Sequence, residues 1–178
     1  MQLKDNLVWI DLEMTGLDPY EDQILEIATI ITDKNLTIVA EGPNVIVHQP
    51  AQYVDRISDE VKKLFEPHGL LDEVRDSRIT LYEAEQQTLE FIKKFCPEKK
   101  ILLCGNSVWV DRNFLRRHMP KIDSYLHYRL IDVTTIKELA ARWYPQLPEF
   151  KKKDSHRALD DIKESIAELR YYREHIFQ

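Results

Sequence analysis

Apolar residues in the first third of the chain form three short runs that lack helical spacing. Leu7 to Ile10 is rich in β-branched and aromatic residues, and Gln23 to Thr32 and Leu36 to Val47 follow it. Runs of this kind, bounded by polar residues, are typical of buried strands. Asp33-Lys34-Asn35 is short enough to join the second and third strands as a tight connection. The pattern therefore predicts a sheet that begins with three consecutive strands.

Helical spacing alternates with short apolar runs in the rest of the chain. Thr80 and Glu83 form a capping box before apolar positions that recur every three to four residues. The predicted helices cover 55–63, 80–92, the segment after the Gly105-Asn106-Ser107 turn through Met119, the segment ending near Tyr144 and 157–174, and the predicted strands cover 101–104 and 130–133. Strands followed by alternating strands and helices indicate an α/β protein with a mixed five-stranded sheet flanked by helices.

Length and composition favour one globular domain over residues 1–178. The chain is 43% hydrophobic and 31% charged, and no apolar stretch approaches the ~20 residues of a membrane span. The first residues, MQLKDN, contain no apolar core of a signal peptide. Cys96 and Cys104 match neither a disulfide framework nor a CxxC metal site. These features predict a cytoplasmic protein with no membrane partner, in which Trp9 and Trp143 belong to the core.

The formal net charge of −6 argues against a broad basic surface for nucleic acid. It leaves nucleic acid open as a substrate, because the electrostatic contribution to binding scales with the number of phosphates contacted. An acidic chain therefore favours a short substrate over a long one.

Two carboxylates close the first predicted strand. Residues i and i+2 of a strand point to the same face, roughly 6.6 Å apart, so Asp11 and Glu13 project together where the strand reaches Thr15-Gly16. Adjacent carboxylates repel each other unless a cation lies between them. The pair therefore indicates a divalent metal ion and phosphate chemistry.

The last predicted helix offers a third carboxylate. At ~100° per residue, Asp161 flanks the apolar stripe of this helix, whereas Asp160 lies nearly opposite it. Asp161 can therefore reach an interior site, and His156, just before the helix, can point over the same cleft. Taken singly, Asp161 also fits an ordinary exposed carboxylate, and His156 fits a loop or capping histidine. Asp111, in GNSVWVDRNFL, likewise fits a carboxylate that interacts with a helix dipole.

Three motifs carry a resemblance to a known family. DLEMTGLD, GNSxxxD and HxALDD, in this order, resemble the exonuclease motifs of the DEDDh superfamily. From about Leu7 to Tyr172 the chain resembles the oligoribonuclease family within that superfamily. The resemblance implies an RNase H-like fold. It also implies a 3′-to-5′ exoribonuclease that hydrolyses short oligoribonucleotides, especially dinucleotides, to mononucleotides.

The resemblance also implies a metal centre of two divalent ions, Mg²⁺ or Mn²⁺. Asp11 is expected to bridge the ions, with Glu13 and Asp161 completing one site and Asp111 supporting the other. Hard oxygen ligands suit these cations. His156 is expected to take the proton from the attacking water, since imidazole exchanges protons near neutral pH.

Further positions are implied as substrate contacts. Leu17 resembles the leucine that the family wedges between two bases, and Ser107, Arg129 and Thr134 match positions that hold the terminal phosphate or backbone. Tyr128 resembles an active-site tyrosine that is supplied across a homodimer interface. From the residues alone, Tyr128 and Arg129 equally fit a surface aromatic and its neighbour.

The chain departs from the family pattern after the third strand. Family members usually carry a Trp and one or two His residues there, and an ungapped count places Glu60 at the Trp position and Phe65 near the His position. Base stacking contributes ~1–3 kcal/mol per base. Dinucleotide selectivity therefore depends on whether Phe65 or Tyr53 takes over the stacking.

Two other functions stay open at the level of sequence. One is a related DEDDh exonuclease that acts on longer single-stranded DNA or RNA, and the other is a catalytically inactive binding module with the same fold. Retained clustered carboxylates argue against the binding module. The run Lys151-Lys152-Lys153 fits either a solvated loop or a segment that attracts substrate.

Overall fold

A computed structural model describes residues 4–152 and 156–177. Five strands form one sheet: β1 Leu7–Met14, β2 Ile24–Thr32, β3 Ile38–Ile46, β4 Leu103–Gly105 and β5 Leu130–Asp132. Their order is β3-β2-β1-β4-β5. β2 is antiparallel to both β1 and β3, whereas β4 and β5 run parallel to β1. The predicted mixed five-stranded sheet is confirmed.

Helices flank this sheet. They are α1 Ala51–Val54, α2 Asp59–Phe65, α3 Leu70–Asp76, α4 Leu81–Phe95, α5 Trp109–His118, α6 Pro120–Tyr125, α7 Val133–Trp143 and α8 Ala158–His175, with a 3₁₀ turn at Glu66–His68. The Thr80–Glu83 capping box is present at the start of α4. A continuous helix over 55–63 is wrong, because the Ser58 side chain accepts a hydrogen bond from the Val61 N–H and starts a separate helix there.

Alternate residues of β1 face two different cores. Val8, Ile10 and Leu12 pack in the core that includes residues of α4 and α5, whereas Trp9 packs with residues of α7 and α8. Because side chains alternate along a strand, Asp11 and Glu13 continue the face of Trp9 towards α8. The alternation thus directs both carboxylates to the helix that carries Asp161.

The two tryptophans predicted as core residues differ in the structure. Trp9 is fully buried, and its indole N–H donates to the Thr32 hydroxyl at 3.0 Å. Trp143 is the last residue of α7 and is 67% exposed, so its assignment to the core is wrong. Apolar character alone did not separate an interior position from a helix end.

A smaller core lies between β2 and the first three helices. Phe65 is 3% exposed there and packs with Leu25, Val54, Ile57, Leu70 and Val74. This packing fixes the segment that follows β3 against the sheet. Within residues 4–152 and 156–177, no helix has both the length and the apolar character needed to span a bilayer.

Candidate active site

Three carboxylates converge where β1 ends. Asp11 and Glu13 of β1 and Asp161 of the first turn of α8 each offer an oxygen, and these oxygens lie within 4.8 Å of one another. All three residues are half-buried, whereas Asp160 is exposed. The predicted difference between the two neighbouring aspartates of α8 is therefore confirmed in position.

Burial and mutual repulsion raise the pKa values of carboxyl groups in this cluster. Desolvation, followed by the charges of Asp111, Glu13 and Asp161, raises the pKa of Asp11 well above its usual range. Desolvation, together with Asp161, Glu26 and Asp111, raises the pKa of Glu13 to about 8. Oxygen ligands that repel one another in this way suit a hard divalent cation, because its charge removes the repulsion.

Asp111 approaches the group from α5. The pairing of β1 with β4 runs only from Val8–Leu103 to Trp9–Cys104. The Leu12 N–H lies beyond that pairing and donates to Asp111 Oδ1 at 3.0 Å. Desolvation raises the pKa of Asp111 to about 8, although this hydrogen bond opposes the rise. Asp111 thus lies in the first turn of α5, where it can interact with the helix dipole, and it is also a buried carboxylate beside Asp11.

His156 lies just before α8 in a left-handed backbone conformation, with φ of 48°. Such a conformation costs a non-glycine residue on the order of 1 kcal/mol and persists only when its surroundings impose it. The next residue, Arg157, donates to the fully buried Glu26 at 3.2 Å and to Glu73 of α3 at 2.9 Å. Glu26 pairs with Glu13 across β1 and β2. Arg157 therefore anchors the His156 segment to the strand beside the carboxylates.

Ser107 and Thr134 lie together past the carboxyl ends of β4 and β5. The Ser107 N–H donates to Thr134 Oγ1 at 2.9 Å and to Asp132 Oδ1 at 3.0 Å, and Ser107 also has a left-handed φ of 47°. An open groove of about 320 Å³ borders both residues. Its other lining residues include Trp109 and Arg142, an exposed aromatic ring and a cation.

Leu17 is 75% exposed on the loop that follows β1. Asp22 shapes this loop, because it accepts hydrogen bonds from Thr15 Oγ1 at 2.8 Å and from the Asp18 N–H at 2.9 Å. The structure therefore presents a leucine to solvent on a loop with a defined conformation, at the same end of β1 as the carboxylates.

Tyr128 and Arg129 lie at the other end of the sheet. The His127 N–H bonds to the Ile101 carbonyl, before the start of β4, and Leu130 pairs with Leu103. Through the register of β1 and β4, Tyr128 lies about 16 Å along the strand direction from Asp11. Tyr128 is 73% exposed, accepts a hydrogen bond from Arg129 Nε and stacks on His127. The structure does not bring these two residues to the carboxylates of their own chain.

Lys152 forms an ion pair with a buried residue instead of extending into solvent. Its Nζ lies 3.1 Å from Oε2 of Glu168, a fully buried residue of α8, and its charge lowers the pKa of Asp11. Lys151 is exposed, and Lys153 lies outside the described residues. A uniformly solvated lysine run is therefore wrong for Lys152.

Sequence reasoning missed the polar residues that support the site, namely Glu26, Asn106, Arg157 and Glu168. Two of them carried a visible signal, because Glu26 interrupts the apolar run ILEIATIIT and Glu168 adjoins the apolar stripe of α8. Buried charges are rare unless they are paired. Charged residues at interior positions could therefore have been singled out, although their partners could not.

Comparison with known proteins gives a consistent result. A family model described as Exonuclease matches residues 8–169. An oligoribonuclease of Pseudomonas savastanoi pv. phaseolicola is 55% identical over 178 residues, which cover 100% of this chain and 99% of the relative. An oligoribonuclease of Haemophilus influenzae strain PittGG is 53% identical over 176 residues, covering 98% and 97%.

Solved structures share the fold at low sequence identity. The zinc-bound complex of E. coli exonuclease I with single-stranded DNA superposes with a TM-score of 0.76 at 16% identity and covers 99% of this chain. Exonuclease I of Methylocaldum szegediense gives a TM-score of 0.70 at 20% identity over 96% of this chain. The chain spans about two-fifths of the length of these structures, 41% in both cases.

Proposed function

The chain belongs to the oligoribonuclease family of exonucleases, and on that premise we propose that it is a 3′-to-5′ exoribonuclease that completes RNA degradation. Its substrates are short oligoribonucleotides, dinucleotides above all, which it hydrolyses to mononucleotides within a single domain over residues 1–178. The observation that carries the proposal is the convergence of Asp11, Glu13 and Asp161 in a chain that matches oligoribonucleases over its whole length.

Two divalent cations, Mg²⁺ or Mn²⁺, are the proposed cofactors. The site fits them in donor chemistry, because carboxylate oxygens that repel one another lie within 4.8 Å. Asp11, Glu13, Asp161 and Asp111 would hold the two ions through their carboxylate oxygens. When bound, the cations would stabilise charge on the phosphodiester and lower the pKa of a coordinated water.

The protein's own side chains would then handle the proton and the orientation. His156 is proposed to accept a proton on an imidazole nitrogen from the water that attacks phosphorus. The bond between phosphorus and the 3′ oxygen of the preceding nucleotide breaks, that oxygen takes a proton from solvent, and a nucleoside 5′-monophosphate leaves. Arg157, which pairs with Glu26 and Glu73, supports the segment that carries His156.

Substrate length would be set by residues on both sides of the carboxylates. Leu17 is available to insert between two bases, since it is exposed on an ordered loop. Ser107 and Thr134 border a groove of a size that admits a terminal phosphate group. Contacts to both the scissile phosphate and the opposite end of the RNA would restrict binding to short RNAs.

A homodimer is proposed because Tyr128 and Arg129 lie at the end of the sheet remote from their own carboxylates. A second copy could present both side chains to the site, where the Tyr128 hydroxyl would act at the reacting phosphate and Arg129 at the terminal phosphate. The 73% exposure of Tyr128 in the isolated chain supports a role in an interface.

The segment that departs from the family pattern offers one aromatic residue for stacking. Phe65 is buried in the small core beside β2, so its ring cannot stack on a base. Tyr53 is half-buried and lines a cavity of about 170 Å³ with Thr15 and Asp22 of the loop after β1. We therefore assign any aromatic closure over the substrate to Tyr53, with Glu60 exposed on α2.

A cytoplasmic location is proposed from the cysteines. Cys96 and Cys104 are both buried and unpaired, and burial raises the pKa of the Cys96 thiol to about 12. Thiols that serve as small apolar core residues suit a reducing compartment.

The test is incubation with 5′-labelled RNAs of two to ten nucleotides, and with single-stranded DNA of the same lengths, in Mg²⁺, in Mn²⁺ and in EDTA. The proposal predicts metal-dependent hydrolysis that is fastest for the dinucleotide. Faster turnover of the longest RNA or DNA would favour the exonuclease for long single strands, and cleavage in EDTA would overturn the proposed metal chemistry.

A further inference from the structure

A continuous series of side-chain hydrogen bonds joins α8 to the Ser107 turn. Ser165 Oγ donates to the Asp161 carbonyl at 2.8 Å and accepts from Asn106 Nδ2 at 2.8 Å. Thr134 Oγ1 donates to Asn106 Oδ1 at 3.1 Å and accepts from the Ser107 N–H at 2.9 Å. We call these five residues the Asn106 network. One end is a proposed metal ligand, and the other is the proposed terminal-phosphate site.

A buried carboxylate fixes the direction of every bond in the Asn106 network. Glu168 Oε2 accepts from Asn106 Nδ2 at 3.0 Å, and an ionised carboxylate can only accept. The amide nitrogen of Asn106 must therefore face α8, and its oxygen must face Thr134. Each hydroxyl in between donates once: Ser165 Oγ accepts from Asn106, and Thr134 Oγ1 accepts from the Ser107 N–H and, at 3.3 Å, from the Ser107 hydroxyl, so a single arrangement satisfies the network.

Glu168 extends the network to the loop before the catalytic histidine. It is fully buried, and its charge is met by Lys152, whose Nζ lies 3.1 Å from Oε2. Tyr172 donates to the other carboxylate oxygen at 3.4 Å. One residue of α8 thus holds both the Asn106 side chain and the lysine that lies four positions before His156.

The backbone hydrogen bonds between strands do not extend far enough to fix the position of Ser107 relative to Asp161. The β1–β4 pairing stops at Trp9–Cys104, and the β4–β5 pairing stops at Gly105–Asp132. Ser107 lies beyond both, with its strained φ of 47°. Its position relative to Asp161 is therefore set largely by side-chain bonds.

We propose that Asn106, together with Ser165 and Glu168, is a positioning device that fixes the distance between the metal site and the terminal-phosphate site. This distance selects for a two-nucleotide RNA, whose terminal phosphate must reach Ser107 and Thr134 while its phosphodiester lies at Asp161. The inference rests on the proposed function in assigning a terminal phosphate to Ser107 and Thr134. It adds residues that contact neither the metal ions nor the reacting atoms.

The test compares substrates that engage one end of the network or both. The 5′-phosphorylated dinucleotide engages both ends, its 5′-hydroxyl analogue lacks the terminal phosphate, and the p-nitrophenyl ester of thymidine 5′-phosphate engages the metal site alone. Asn106→Ala should lower kcat/KM for the 5′-phosphorylated dinucleotide by about 10- to 100-fold, mostly through KM, as supporting residues of a site typically do. The p-nitrophenyl ester should change by no more than about threefold.

Controls separate this role from a general loss of structure. Asn44→Ala removes an exposed asparagine of β3 and should leave all three substrates unaffected. Ser165→Ala, which leaves the bond from Asn106 to Glu168, should repeat the selective loss at a smaller size. An equal loss on all three substrates, or an unchanged preference for the 5′-phosphorylated dinucleotide in both variants, would overturn the inference. If the unmodified protein itself shows no preference for the dinucleotide over a ten-nucleotide RNA, the proposed function fails instead.

Discussion

At the carboxyl ends of β1, β4 and β5, polar side chains are held by partners from the protein interior. Asp111 accepts a hydrogen bond from the Leu12 backbone, and Arg157 is paired with the buried Glu26. At the amino end of β5, Tyr128 and Arg129 contact chiefly each other and His127. The first end is arranged by one chain before any ligand binds, whereas the second end is exposed until another surface covers it.

This difference indicates a division of labour. Preorganised groups stabilise a reacting centre because they need no rearrangement during the reaction, and the carboxylate end meets that condition. The tyrosine end offers an aromatic hydroxyl and a guanidinium on a solvent-facing surface, which is typical of a contact to another molecule. The two ends therefore require different experiments.

The largest expected effect concerns the carboxylate end. Asp161→Asn should lower kcat for dinucleotide hydrolysis by on the order of 10³-fold or more, because one of the three converging carboxylates proposed to hold the metal ions loses its charge. The matched control is Asp160→Asn, which alters the exposed neighbour and should stay within about twofold. Steady-state kinetics at saturating Mn²⁺ measures both variants. Comparable losses would contradict the assignment of Asp161.

Removal of the tyrosine hydroxyl should have the next largest effect. Tyr128→Phe is expected to lower kcat by about 10²-fold, the typical result of removing one donor at a reacting phosphate, while Mn²⁺ affinity stays unchanged. Tyr82→Phe, at another exposed tyrosine, serves as the control. Kinetics and calorimetric titration with Mn²⁺ provide the two readouts. A change in Mn²⁺ affinity without a change in kcat would contradict the role of Tyr128 as a hydrogen-bond donor to the reacting phosphate.

Arg157 tests how far the carboxylate end depends on buried pairing. Arg157→Ala leaves Glu26 buried without its partner, so the free energy of unfolding should fall by about 3 kcal/mol and kcat by about tenfold. Arg75→Ala, on the exposed face of α3, should cost less than about 1 kcal/mol.

A double variant separates stability from positioning at Arg157. Glu26→Gln with Arg157→Met removes both charges, so denaturant unfolding should show most of the lost stability restored. The value of kcat should stay low, because His156 is no longer anchored. Full recovery of kcat together with stability would reduce Arg157 to a purely structural role.

The last expected effect is a pH dependence of stability in the metal-free protein. Glu13 and Asp111 each have a folded pKa of about 8, above the ordinary 4.5 and 3.8, so the folded chain holds protons that the unfolded chain has released. Stability should therefore fall as pH rises from about 4.5 towards 8. In EDTA the Tm is expected to drop over this interval, and saturating Mn²⁺ should remove most of the drop.

The control for this pH effect is a variant in which the Glu13 carboxyl is replaced by a group that cannot ionise. Glu13→Gln should reduce the fall in Tm measured in EDTA, because it removes one of the two carboxyl groups whose pKa is raised in the folded chain. A Tm in EDTA that rises between about pH 5 and pH 8 in the unmodified protein would contradict the sign derived from the buried carboxyls.

Much of the fold followed from periodicity, and the exceptions have local causes. The last four strands lie within about two residues of their predicted bounds, because apolar runs mark them directly, whereas β1 continues four residues past its apolar run to Met14 and takes in Asp11 and Glu13. The helix predicted over 55–63 divides at Ser58, where one side-chain hydrogen bond starts a new helix. Trp143 is exposed because a hydrophobic residue at a helix end need not face the core.

The site was predictable where chemistry lies in the motifs and not where it depends on partners distant in sequence. Strand alternation paired Asp11 with Glu13, the helix angle turned Asp161 towards the interior, and the family resemblance implied that all three share a metal centre. The structure brings their oxygens within 4.8 Å of one another. The bonds from Asn106 to Ser165 and from Arg157 to Glu26 span 59 and 131 positions of sequence. No local pattern encodes such pairings.

The most direct test of the division between the two ends is complementation between two inactive variants. Asp11→Asn disables the carboxylate end, and Tyr128→Ala disables the tyrosine end, so each variant, as the proposed homodimer, should be nearly inactive towards a dinucleotide. After co-refolding in equal amounts, half of the dimers are mixed and each mixed dimer contains one complete site, so activity should recover to about a quarter of the unmodified level. Activity that stays at the sum of the two separate variants would show that Tyr128 does not act on the carboxylate site of a second copy.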